Sequence, residues 1–149
     1  MFASILKTDR NAAALMLRLF LAVAFFPHGA QKVLGWFGGP GLHGSISMMS
    51  GNMHIPLALT ILAIAAEFLG PIGLFVGFLT RIAAFGIGFE MVVAAVVYHA
   101  RFGFFMNWFG RKAGEGIEYH LLIIGMAAAL MITGGGVWSV DRAITGKQH

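Results

Sequence analysis

Four stretches of this chain stay apolar for about the length of helix that crosses a bilayer, approximately residues 12–34, 55–78, 80–100 and 117–138. A hydrocarbon core of roughly 30 Å takes about 20 helical residues to span. Backbone N–H and C=O groups find no water there, so each segment must satisfy its own hydrogen bonds as a helix. Composition points the same way: 58% of the residues are hydrophobic and 11% are charged. Soluble domains carry about 25% charged residues to keep their surface wet. The expected fold is therefore all-α, an integral membrane antiparallel four-helix bundle with interfacial loop segments, forming a single domain over residues 1–149.

Punctuation residues set the expected connections. Pro56 opens the second span, where its missing N–H costs nothing, and Thr80 is placed to cap the third. Gly77-Phe78-Leu79-Thr80 leaves space only for a tight turn, so the second and third spans form a hairpin. Gly134-Gly135-Gly136 ends the fourth. The other two connections, residues 35–54 and 101–116, are rich in Trp, Phe and Met and read as segments lying against the headgroup layer. An even number of spans puts these two loops on one face and both termini on the other. The terminal side carries Lys7, Arg10, Arg18, Arg81, Arg142 and Lys147, and the loop side carries Lys32, Arg101, Arg111 and Lys112. Positive-inside bias then favours cytoplasmic termini in a bacterial plasma membrane. Ala22-Val23-Ala24 faintly resembles a signal-peptidase site, but Arg18 interrupts the run, and an uncleaved first helix is the better reading.

The net charge of +4 comes from basic residues scattered at the ends of apolar runs, with no basic patch for a nucleic acid. The chain has no cysteine, which excludes disulfides, thiolate-held metals and thiol redox chemistry. Any redox role needs a bound organic molecule, a His-held group or a partner subunit.

Ionisable groups deep in the spans cost about 2.5–3.5 kcal/mol each on insertion scales, so they mark candidate sites. Counting the helical rise places Glu67 and Glu90 about 15–16 Å from the terminal face, near the midplane and level with one another. Arg18 lies about 9 Å in from the same face, with a side chain long enough to reach toward them. One reading is a pair of carboxyls with coupled titrations serving as a proton relay or polar ligand site. The other is that Arg18 pairs with one Glu while the second bonds a neighbouring helix.

A second polar belt lies nearer the loop face and holds His28, Lys32, His99, Glu118 and His120. Arg18, His28 and Lys32 share an arc of about 80° on the first helix. Glu90 and His99 fall about 180° apart, so straight helices do not aim all of these groups into one pocket. The belt reads as a headgroup-level site for a quinone or other amphipathic molecule, or as residues that merely snorkel to the interface. A His-held haem or metal is a weaker alternative, and no metal site is expected.

The chain resembles the DoxX family of small bacterial membrane proteins. The likeness is carried by Leu17-Arg18-Leu19, His28-Gly29 with Lys32, and Gly38-Gly39-Pro40-Gly41. Glu67 with Gly70, the run Gly73 to Arg81, Glu118 and Trp138-Ser139-Val140-Asp141 continue it. It implies four membrane helices and an association with quinone-linked oxidation, as a membrane subunit of a thiosulfate:quinone oxidoreductase or a quinol oxidase complex. It supplies no agreed catalytic set, and this chain lacks the soluble domain and cysteines needed to run a sulfur cycle alone. The expected function is a redox-associated subunit binding a quinone or similar lipid-soluble molecule. Arg18, His28, Lys32, Glu67 and Glu118 would line the site, with Glu90 and His99 as second choices. Expected partners are membrane lipid and either a protein subunit or further copies of the chain, with no nucleic acid. The alternatives are a non-catalytic assembly subunit and a small permease or proton channel; whether the chain is itself an enzyme stays open.

Overall fold

The described backbone is helical wherever the apolar runs lie and contains no strand. The computed structural model describes residues 5–146, so Lys147, counted above among the terminal-side cations, lies outside the described residues. Helix α1 (Ala12–Leu34) starts at Asn11, whose side-chain oxygen accepts from Ala13 N at 2.8 Å, and stops at Gly35, which turns left-handed with φ 70°. The first connection folds into a short helix α2 (Gly41–Ile46) that runs on as a π-helical turn, Ser47–Asn52. Helix α3 (Leu57–Val76) follows Pro56. Helix α4 (Thr80–Ala94) continues through a π-helical turn, Ala95–His99, and a 3-10 turn, Ala100–Phe102. Helices α5 (Glu118–Thr133) and α6 (Val140–Thr145) complete the described chain.

Three segments, Ala12–Leu34, Leu57–Val76 and Thr80–Phe102, are long and apolar enough to cross a membrane. The fourth expected stretch, 117–138, is shortened to the 16 residues of α5. Three successive glycines hold a helix poorly, and Gly134 (φ 74°) and Gly136 (φ 69°) turn the chain away. The 55–78 stretch likewise narrows at both ends, and 80–100 extends to Phe102.

Neighbouring long helices run antiparallel, α1 beside α3, α3 beside α4 and α4 beside α5, around a core of Leu21, Phe25, Leu74, Ile87 and Leu130. Small residues let the backbones close on one another, as lipid-embedded helices require in the absence of a hydrophobic drive between them. At Gly29, a Cβ would come within 2.6 Å of the Glu67 carbonyl carbon and the Phe68 Cα. Pro71, four residues beyond Glu67, lacks the N–H that this carbonyl would otherwise receive. This close approach of α1 and α3 therefore sits beside Glu67. On the outside, Phe20, Val23, Leu62, Phe75 and Ile132 are all more than half exposed, a belt suited to acyl chains rather than water.

The α3–α4 turn is as tight as its sequence implies, with Gly77 at φ 72° and Leu79 at φ 50°. Thr80, however, does not cap α4. The cap comes from Asp141 on α6, whose two carboxylate oxygens accept from Leu79 N at 2.8 Å and Thr80 N at 2.9 Å. A carboxylate bridging two successive amides satisfies two orphan donors and complements the helix dipole, which one hydroxyl does not.

Gly29→Val is expected to destabilise the protein by about 1–3 kcal/mol, since nothing but backbone faces the new side chain. Thermal unfolding in detergent micelles reads this. Gly51→Ala, at a position with open space around it, is the matched control and should leave the midpoint unchanged.

Candidate functional site

Polar side chains gather in three places along the helices. At the terminal end, Arg18 is fully buried. Its Nη1 donates to the carbonyls of Leu74 (2.8 Å) and Phe75 (3.3 Å), and its Nη2 to those of Val137 (3.2 Å) and Trp138 (3.1 Å). These are end-of-helix and turn carbonyls, of which the Leu74 oxygen also accepts from Gly77 N at 3.2 Å, and a planar fork of donors suits them. Asp141 lies close enough to offset the guanidinium charge. Arg18 thus does not pair with Glu67 or Glu90; the carbonyls at its own level are nearer than the carboxyls. Arg81 acts similarly at the rim, donating to the Lys7 carbonyl at 2.9 Å and to that of Met131.

The second cluster joins α1, α3 and α4. The Lys32 ammonium forms an ion pair with the Glu67 carboxylate. Lys32 starts nearer the loop face than Glu67, but helical side chains lean toward the helix N-terminus, and its stem reaches back over one turn. The Glu90 carboxyl stands beside both groups; its buried Oε2 receives no donor from any neighbouring N–H or hydroxyl, and it bonds Glu67 only when one of the two carboxyls carries a proton. Glu67 is 6% exposed. Ser45 of α2 donates to the Lys32 carbonyl at 3.1 Å, which fastens the loop-side segment over the end of α1. Two carboxyls and one ammonium are therefore held together, each from a different helix.

The third cluster lies at the loop end of α4 and α5. The rings of His99 and His120 stand 4.2 Å apart between centroids, and His99 Nδ1 lies 2.9 Å from the Glu115 carbonyl. The π-helical turn ending at His99 changes the phase of α4, which places His99 against α5. His120 is buried and its Nδ1 has no partner. Glu118 turns toward the preceding loop and accepts from Met106 N at 3.2 Å. His28 is exposed at the edge of α1, its ring 6.4 Å from that of Phe25.

Of the seven residues expected to line a site, the fold therefore brings together Lys32, Glu67 and Glu90. Arg18, His28, His99 and Glu118 stand elsewhere. Among the described residues no three His, Asp or Glu side chains converge as metal ligands. Sequence reasoning missed Asp141, which is 1% exposed. Its signal was the helix start after Ser139, whose Oγ accepts from Arg142 N at 3.2 Å. Beside the Lys32–Glu67 level, α1, α2 and α3 also frame an open apolar groove of about 220 Å³, lined by Val33, Leu42, Ile61, Ile64, Ala65, Phe68 and Leu69.

Two variants separate the anchor from the charge cluster. Asp141→Ala removes the α4 cap and is expected to cost about 1–2 kcal/mol in micelle unfolding. Lys32→Met leaves the Glu67 carboxylate without its cation, at a cost near the low end of the 3–5 kcal/mol range, about 3 kcal/mol, because the Lys32 side chain keeps 24% accessibility. The double change Lys32→Met with Glu67→Gln should recover most of that loss in the same measurement.

Comparison with known proteins places this architecture. The inner membrane protein YqjF of Escherichia coli (strain K12) is 28% identical over 148 residues, which cover 95% of this chain and 99% of that protein. No solved structure matches. The DoxX family model matches residues 13–100, a region that holds Arg18, Lys32, Glu67 and Glu90 and makes up more than half of the chain. The chain belongs to the DoxX family.

Proposed function

We propose that the chain is a single-domain, four-span subunit of a redox assembly in the bacterial inner membrane, binding a quinone or similar lipid-soluble molecule among its helices. The likeness to an inner membrane protein supports the location. Helix α5, with Ile117 before it and the glycine turn after it, makes the fourth crossing. Lys7, Arg10, Arg81 and Arg142 at the terminal end, against Arg101, Arg111 and Lys112 at the loop end, support cytoplasmic termini.

The observation that carries the binding site is the Lys32–Glu67 pair with the unpartnered Glu90 oxygen beside it. A buried polar atom without a partner is costly, and it fits a ligand that brings a hydrogen-bonding group of its own. A bound quinone supplies two-electron chemistry with matching proton uptake. The chain's part is to orient it and exchange protons. Lys32 offers a charged donor for a carbonyl oxygen. The trio is electroneutral when the two carboxyls hold one proton between them, which leaves an exchangeable proton next to that donor. The groove beside Val33 and Phe68 has an apolar wall suited to an isoprenoid tail. Without cysteines the chain has no redox-active thiol, so electrons enter or leave through a partner subunit.

The test is titration of the purified protein in nanodiscs with a short-chain ubiquinone. Saturable binding is expected, weakened about tenfold or more by Glu67→Gln or Glu90→Gln, the loss of roughly 1.4 kcal/mol that one hydrogen bond to a charged group supplies. Equal binding by wild type and both variants removes the reading. Loss of a co-purifying subunit with no change in quinone binding supports the assembly role instead, and proton or solute flux in proteoliposomes without a partner supports the permease.

A further inference from the structure

We propose that the loop between α4 and α5 is a binding surface for anionic phospholipid headgroups. This rests on α4 crossing the membrane and is independent of the quinone site. The loop is closed and ordered at its base, where Ile117 N donates to the Gly103 carbonyl at 3.1 Å and Glu118 N to that of Phe104 at 2.9 Å. A second closure holds its tip: Asn107 Nδ2 donates to the Lys112 carbonyl and Lys112 N to Asn107 Oδ1, both at 2.9 Å. The outward surface is thus preformed.

Its chemistry is one-sided. Phe105, Trp108 and Phe109 are 66%, 80% and 83% exposed, at the membrane end of an apolar helix. Arg101, Arg111 and Lys112 are exposed among them, each set over an aromatic ring at 4.7, 5.7 and 5.9 Å. The carboxylates of the same region do not neutralise them. Glu115 turns to the Asn107 amide at 2.5 Å and Glu118 to that of Met106, where backbone donors satisfy both. What faces outward is Arg101, Arg111 and Lys112, the last with one ammonium proton given to the Phe105 carbonyl at 2.9 Å, interleaved with aromatic side chains. Aromatic rings seek the headgroup layer and cations seek its phosphates, so this combination fits anionic headgroups in the leaflet on the loop side. The occupant is a lipid rather than a soluble partner because the exposed rings continue the acyl-facing belt of α4.

The contact is read by quenching of Trp108 in vesicles of brominated phosphatidylglycerol or brominated phosphatidylcholine, with Trp36→Phe and Trp138→Phe removing the other indoles. Each Lys or Arg at an anionic surface favours association by about fivefold. The expected result is a severalfold preference of Trp108 for phosphatidylglycerol, reduced at high salt. The combined change Arg101→Gln, Arg111→Gln and Lys112→Gln should bring it to about one, while Arg10→Gln at the opposite end leaves it unchanged. Equal quenching by the two lipids, no quenching by either, or a preference that survives both salt and the triple change overturns the proposal. The wild-type lipid and salt comparisons need no variant at the loop, so they stand whether or not the triple change folds.

Discussion

A guanidinium shut away from water has to place its N–H groups on protein acceptors, and Arg18 does so through Nη1 and Nη2, which hold four carbonyls from two separate regions and leave only Nε without a partner. Leu74 and Phe75 end α3, while Val137 and Trp138 belong to the turn between α5 and α6. One side chain on α1 thereby fixes the relative height of three parts of the chain. Asp141 completes the arrangement from α6, offsetting the charge and capping α4. Gly77 is part of the same constraint, since a Cβ there would fall on the Arg18 guanidinium and on Ser139. With no hydrophobic drive between helices in lipid, polar anchors and close backbone packing take over the work of alignment.

Once the terminal end is pinned, the middle of the helices inherits its register. Gly29 meets the backbone of Glu67 and Phe68, and a Cβ added at Gly70 would come within 3.3 Å of Ile87 Cδ1. Those crossings carry Lys32, Glu67 and Glu90 into one place. The cluster is stable as an ion pair with a neighbouring carboxyl, yet it leaves one buried oxygen without a partner. The proposed binding site rests on this unfinished polar contact above a strongly anchored end.

Much of the candidate site was legible because depth in a membrane follows from counting. Glu67 and Glu90 come out level by the helical rise, and the structure sets them side by side. The partner was harder to read. Counting put Lys32 higher than Glu67 and put Arg18 within reach, but it treats each side chain as a point at its own Cα. A lysine leaning back along its helix covers a turn in one direction, while an arginine beside end-of-helix and turn carbonyls is held where it stands. The stacking of His99 on His120 was out of reach for a different reason: the helical wheel assumes constant phase, and a π-helical turn breaks it at Ala95–His99. Asp141 was unreadable as a cap because it lies 61 residues beyond Thr80 in sequence and meets it only across the fold.

The sequence by itself determined that the chain is helical and apolar enough for lipid, and broadly where its long helices run, since hydrophobic run length and composition are local properties. It also determined the tight α3–α4 turn, through Gly77 and the few residues available. Only the tertiary structure decided which cation meets which carboxylate, where α5 stops, and that a carboxylate from the last helix starts α4. Those outcomes depend on the direction of side chains and on acceptors contributed by distant segments. Buried charge in a low-dielectric interior is satisfied by whichever group the packing brings nearest, and packing is a property of the whole chain.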